Sequence, residues 1–138
     1  MASPAPVPLQ SIALAALVIC IASPCRATVQ FQKVFVDEYL AEHSDREFVE
    51  YVRTKAKCFT CHQGSKHRQN HNAYGRVLAE LLDAPADNKD SAKIVAVLRE
   101  MESRAADPSM LDGTTFGQRI AASRLPAGEL DDAKREPE

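Results

Sequence analysis

The stretch that organises this chain is CFTCH at residues 58–62, where two cysteines with two residues between them are followed at once by a histidine. Two thiols at this spacing lie on one side of a helical turn, where they can add to the two vinyl groups of a porphyrin. The next residue then lies beneath the iron and can donate a ring nitrogen. Cys58, Cys61 and His62 therefore predict one covalently attached haem c, with His62 as an axial iron ligand.

The N-terminal stretch SIALAALVICIA, residues 11–22, carries no charge. It is too short to span a bilayer, which takes about 20 apolar residues, but it has the length of a secretory signal core. We predict a signal peptide over residues 1–27, with cleavage after Ala22 as the alternative, and an exported protein, periplasmic or secreted. No membrane span is expected after cleavage. The preceding MASPAPVPLQ departs from the usual pattern because it lacks Lys and Arg.

Export would leave few thiols in the mature chain. Of the four cysteines, Cys20 and Cys25 would leave with the signal, so that only Cys58 and Cys61 remain. Two cysteines three positions apart make no disulfide framework, and a bridge between them would close a loop too small to restrict the unfolded chain much. The two cysteines therefore indicate a chemical role for their thiols and not a structural disulfide.

Four amphipathic segments follow the predicted signal, each with apolar residues at helical spacing. They predict helices over about 45–57, 72–83, 90–105 and from 115 until Pro126. Residues 28–43 fit a strand as well as a helix. We expect an all-α fold, a small bundle of about four helices around one haem over residues 28–128. The charged tail, residues 129–138, is expected to be disordered because it has no apolar pattern.

A zinc site is the strongest rival interpretation of the cysteine pair. Cys58, Cys61, His67 and His71 read as C-x2-C-x5-H-x3-H, and thiolate and imidazole sets of this kind bind tetrahedral zinc. The gap between the two pairs is shorter than in the usual finger. A dithiol redox centre is a third alternative, but its βαβ context is missing.

The sixth iron ligand is not settled by the sequence. Met110, in the loop DPSMLDGT, is the candidate, with His71 and His67 as alternatives, while Met101 completes an apolar helix stripe and is expected in the core. An open sixth position is a further alternative. It would make the protein peroxidase-like or gas-binding, with His71 or Tyr74 as the polar distal group.

Charge excludes one class of partner and indicates another. The formal net charge is −2, whereas a nucleic-acid binder is usually clearly basic. A local basic cluster flanks the motif, and it could steer an acidic redox protein towards the site. We expect a monomer that exchanges electrons with redox proteins and does not bind nucleic acid. The cluster consists of Lys55, Lys57, Lys66, His67 and Arg68.

The order of the elements resembles a class I cytochrome c. More narrowly, KAKCFTCHQGSKHRQNHNAYGRVLAELL (55–82) and DGTTFGQRIAASRLPAG (112–128) resemble the short secreted monohaem cytochromes of planctomycete bacteria. The resemblance covers about residues 31–128, and the elements at 72–75 and 115–117 recur in it. It implies haem binding through the CFTCH residues and single-electron transfer by a carrier that is not an enzyme, but it brings no sixth ligand. Class I packing further predicts that Phe48 lies beside Phe116.

Overall fold

The computed structural model describes residues 27–66, 69–106 and 113–137, and within these ranges it is helical without any strand. The predicted all-α class is confirmed. Isolated bridges join His62 to His71 and Ala105 to Thr115. The helices are α1 (Ala27–Tyr39), α2 (Arg46–Tyr51), α3 (Ala73–Leu81), α4 (Ala84–Asp87), α5 (Ser91–Met101), α6 (Phe116–Ala121) and α7 (Leu130–Lys134).

Residues that the sequence left undecided between strand and helix form α1. This helix packs chiefly against α5, which also contacts α3. The hydroxyl of Tyr39 donates to the carbonyl of Leu98 at 2.7 Å, and the guanidinium of Arg99 donates to the Glu38 carboxylate at 2.6 Å. The periodicity of this segment does not decide between strand and helix. Contacts with residues about 60 positions away in the sequence therefore determine that it is helical.

The helix before the motif changes its winding as it approaches the cysteines. Asp45 caps α2 by accepting a hydrogen bond from the backbone N–H of Phe48 at 2.9 Å. The helix continues as a π-helical turn, Val52–Ala56, and then as a 3₁₀ turn, Lys57–Thr60. Lys57 sits between them at φ +44°, a conformation that costs a non-glycine residue about 1–3 kcal/mol. The helix winding therefore changes at Lys57, one residue before the first cysteine.

The aromatic core differs from the class I expectation at one contact. The ring of Phe116 lies edge-on to that of Tyr74, with centroids 5.0 Å apart, and Phe48 has His43 as its ring neighbour at 5.2 Å. Over the described ranges no ring pair joins Phe48 to Phe116, so the predicted contact is not found. Tyr74, which is 1% exposed, is the ring neighbour of Phe116 in the core.

The C-terminal tail corrects another expectation, since residues 129–137 are ordered as α7 and a short extension. Leu130 and Ala133, three positions apart, are buried on one side of the helix. The N–H of Gly64 donates to the carbonyl of Ala133 at 2.8 Å, and that of Ser65 to the Glu136 carboxylate at 2.9 Å. Helix α7 also contacts the 3₁₀ turn at Lys57–Thr60, so tertiary contacts hold a tail that lacks an apolar pattern of its own.

The predicted signal peptide lies almost wholly outside the described residues, which begin at Ala27. Along the described part of the chain, no helix is long and apolar enough to cross a membrane.

Candidate functional site

The three residues of the predicted attachment motif line one cavity. Cys58, Cys61 and His62 line it together with a few polar residues, and most of the remaining lining is apolar: Phe31, Phe35, Leu78, Ala79, Leu82 and Ala84. The cavity volume is about 180 Å³, less than the roughly 300–1,000 Å³ of pockets that enclose a whole small molecule. A porphyrin bound here would therefore extend beyond this cavity.

His62 is held in the tautomer that a metal ligand needs. The side chain is 4% exposed, and its Nδ1 lies 3.1 Å from the carbonyl oxygen of Asn70. Because a carbonyl can only accept, Nδ1 carries the proton and Nε2 carries the lone pair. Metal-bound histidines commonly have this second hydrogen bond, which orients the ring and raises its basicity.

The two thiols are half-buried and do not form a disulfide. Burial, with a smaller contribution from Cys58, raises the pKa of Cys61 to about 12, so this thiol is protonated at neutral pH. A zinc site would require thiolates that converge on one point. The described ranges contain no group of three or more His, Cys, Asp or Glu side chains that could hold a metal ion, although His67 of the zinc hypothesis lies outside them.

Asn72 lies against four consecutive carbonyl groups of the motif. Its backbone N–H donates to the carbonyl of Cys61 at 3.1 Å. Its side-chain Nδ2 lies 2.9 Å from the carbonyl oxygen of Phe59, 3.2 Å from that of Thr60 and 3.4 Å from that of His62. Asn72 is 5% exposed, so these polar contacts are shielded from water. The sequence pointed to this residue only through a recurring element of the resemblance.

Gly75 lets α3 approach the motif closely. A Cβ atom built on Gly75 would overlap the carbonyl oxygen of Cys61. The N–H of Gly75 donates to the side-chain oxygen of Asn72 at 3.0 Å, which caps α3. The spacing of Asn72 and Gly75 therefore has a local physical reason, since one caps the helix and the other gives it room.

His71 and His62 line the same cavity. Their ring centroids are 4.9 Å apart and their planes are inclined by 30°. Burial, and to a lesser degree the charge of Arg76, lowers the pKa of His71, so its ring is neutral at pH 7. Two imidazoles on opposite sides of one ion would have centroids about 6 Å apart, given metal–nitrogen bonds of about 2.0 Å. The two centroids in this structure are closer than that, and the role of His71 as an alternative sixth ligand stays a prediction.

The other residues considered as iron ligands or distal groups, where the structure describes them, are not found in the cavity lining. Met101 is fully buried in the hydrophobic core and does not line the cavity, as expected. Tyr74, one of the possible distal groups, does not line it either. Met110 and His67 lie outside the described residues, so the assignment of Met110 as sixth ligand stays a prediction.

One polar atom in the cavity wall is unsatisfied. The hydroxyl of Thr60 is buried and has no hydrogen-bond partner in the described structure, and Thr60 lines the cavity at 3% exposure. Leaving such a group unpaired costs about 1–3 kcal/mol. The cavity wall is thus suited to receive a bound group or water. With two thiols and an oriented imidazole on an otherwise apolar surface, the residues present fit a covalently attached haem.

The surface beside the motif is basic. Lys55, Lys57 and Lys66 are exposed, and Arg53 joins them from the π-helical turn. Within the described ranges none of these four residues takes part in an ion pair. His67 and Arg68, the other members of the predicted cluster, lie outside the described residues.

Comparison with models of known protein families found no match, and comparisons with curated proteins and with solved structures found none either. The cavity and its residues therefore have to support any functional conclusion.

Proposed function

We propose that this chain is an exported monohaem c-type cytochrome, which binds one haem c covalently and transfers single electrons between redox partners. The observation that supports this proposal most strongly is that Cys58, Cys61 and His62 line one apolar cavity. The tautomer imposed on His62 by the Asn70 carbonyl adds to it. On this proposal the protein is a carrier and not an enzyme.

The roles of the residues follow from their chemistry. The thiols of Cys58 and Cys61 would form the thioether bonds, and Nε2 of His62 would be the axial nitrogen. When bound, the haem supplies the one-electron iron couple. Phe31 and Phe35 of α1 would exclude water from the cavity, and exclusion of water is one of the means by which a protein sets a haem potential.

An acidic redox protein is the partner that the surface favours. Four exposed basic residues lie within five positions of the motif along the chain: Arg53, Lys55, Lys57 and Lys66. Of these, Lys57 also lines the cavity. Charges at the rim of an interface chiefly accelerate association, in a manner that salt weakens. Electrons would then pass between the partner and the haem at the part of the cavity that Lys57 lines.

Optical spectroscopy of the exported protein tests this proposal. We expect a sharp reduced α-band of c type that is lost in the Cys58→Ser/Cys61→Ser double variant. A colourless protein that binds zinc would contradict it. The ferric spectrum then identifies the sixth ligand. A methionine–sulfur band assigns Met110, a low-spin spectrum without that band assigns a histidine, and a high-spin spectrum assigns an open site, which would favour the peroxidase-like or gas-binding alternative.

A further inference from the structure

The attachment loop, defined here as residues 58–62, is held largely by one side chain outside it. The carbonyls of Phe59, Thr60 and His62 lie within 3.4 Å of Nδ2 of Asn72, and that of Cys61 accepts from the Asn72 backbone. We infer that Asn72 is the positioning residue of the attachment loop, fixing the orientation in which the loop presents its thiols and His62. This inference deepens the proposed function and rests on it.

Four consecutive carbonyls facing one residue need donors at that point. Their oxygen atoms carry partial negative charge, and a buried carbonyl without a partner costs about 1–3 kcal/mol. An asparagine side chain is neutral and offers two N–H donors together with an acceptor oxygen. The substitutions Asn72→Asp and Asn72→Ser would keep an acceptor but remove this pair of donors, so neither side chain replaces the amide in this setting.

The acceptor oxygen of Asn72 connects the loop to a rigid support. It accepts the N–H of Gly75 at 3.0 Å and so caps α3. Tyr74 and Leu78 anchor α3 in the core at 1% and 5% exposure. The amide nitrogen of Asn72 therefore contacts the loop, and its amide oxygen contacts α3 in the packed interior. Mutation can remove the donor function and keep the acceptor function.

Loss of the donor function should weaken the hold on His62. The ring of His62 is oriented by the Asn70 carbonyl at Nδ1, while its backbone is oriented through Asn72. If the loop is released, protons compete more effectively for Nε2, because the ligand geometry is no longer preorganised. The iron–histidine bond should then open at a higher pH.

The test is an acid titration of the haem-loaded protein, followed by the change in absorbance as His62 is displaced from the iron. Asn72→Ser keeps a capping oxygen for α3 and removes the amide donors. We expect its transition midpoint to rise by about one pH unit, which is a tenfold gain for the proton. Asp90→Ala, which removes the cap of α5, is the matched control. It should lower the melting temperature and leave the midpoint unchanged.

Asn72→Asp separates positioning from stability. A carboxyl group caps α3 as well as an amide does, but it lacks the two N–H donors of the amide, so its midpoint should also lie above that of wild type. Failure of both variants to attach haem, with normal attachment in Asp90→Ala, also supports the inference. Wild-type midpoints in both variants overturn it while the proposed function stands. A wild-type chain without covalent haem overturns both.

Discussion

The Nδ1 atom of His62 lies 3.1 Å from the carbonyl oxygen of Asn70. An antiparallel backbone bridge also pairs His62 with His71. The segment that follows the motif therefore folds back alongside the motif. Since the carbonyl accepts, the imidazole has its lone pair on Nε2. The tautomer of a histidine that follows a cysteine pair is thus set by backbone structure eight residues later.

Replacement of Lys57 by glycine should stabilise the protein. Lys57 has φ +44°, which glycine adopts without a steric cost, and the relief should exceed the added entropy of the unfolded chain, for a net gain of about 1 kcal/mol. Urea unfolding measures the difference. Lys55→Gly, two residues earlier within the π-helical turn, is the control and should lose about 1 kcal/mol. Equal losses in both variants would show that the backbone at Lys57 is unstrained.

Gly75→Ala should push α3 away from the motif. The new methyl group would overlap the carbonyl oxygen of Cys61, and an overpacked site of this kind costs about 1–3 kcal/mol. We expect a lower free energy of unfolding and a smaller haem-loaded fraction. Glu80→Ala, at an exposed position of the same helix, should stay within about 0.5 kcal/mol of wild type. A Gly75→Ala protein as stable as Glu80→Ala would disprove the close approach.

The contact of Glu136 with Ser65 should make stability depend on pH. The hydroxyl and the N–H of Ser65, with a smaller contribution from the charge of Lys66, lower the pKa of Glu136 from its ordinary value of 4.5. A lowered carboxyl pKa stabilises the fold above pH 4.5, and this contribution is lost as the pH falls through the folded-state pKa. Glu136→Gln should therefore lower the melting temperature at pH 6, with the difference from wild type disappearing in acid.

Glu129→Gln is the control for that experiment, because Glu129 makes no side-chain hydrogen bond at the start of α7. Its melting temperature should differ little from wild type at pH 6. If Glu136→Gln behaves in the same way, the tail is not held through Ser65.

Reversal of charge at Lys55 should slow electron exchange with anionic reagents. Lys55 is exposed beside the motif, and steering by such charges changes association rates in a salt-dependent way. We expect Lys55→Glu to react several-fold more slowly with an anionic oxidant at low salt and faster with a cationic one, with both differences shrinking at high salt. Lys89→Glu, exposed between α4 and α5, carries the same charge change and should have a smaller effect on both rates.

Local patterns predicted the parts of the fold that local interactions determine. Helices α6 and α5 begin where the sequence predicts them, at the Thr115–Gln118 capping box and at the Asp90 cap. The apolar stripe of α5 is buried from Ile94 to Met101. In each case the residues that decide the structure lie within one or two turns of each other.

The parts that were missed depend on partners far along the chain. The conformation of α1 depends on α5, and α7 is held by Gly64 and Ser65, about 70 positions away. The role of Asn72 requires four carbonyls to face it, which no residue pattern reveals. Tyr74 likewise becomes the neighbour of Phe116 through tertiary packing alone.

The most direct test of the central claim is the intact mass of the exported protein under denaturing conditions, after extraction with acidified acetone. The account predicts a chain that retains one haem, and that loses it when Cys58 and Cys61 are both replaced by alanine. A wild-type chain with the mass of the polypeptide alone would contradict it.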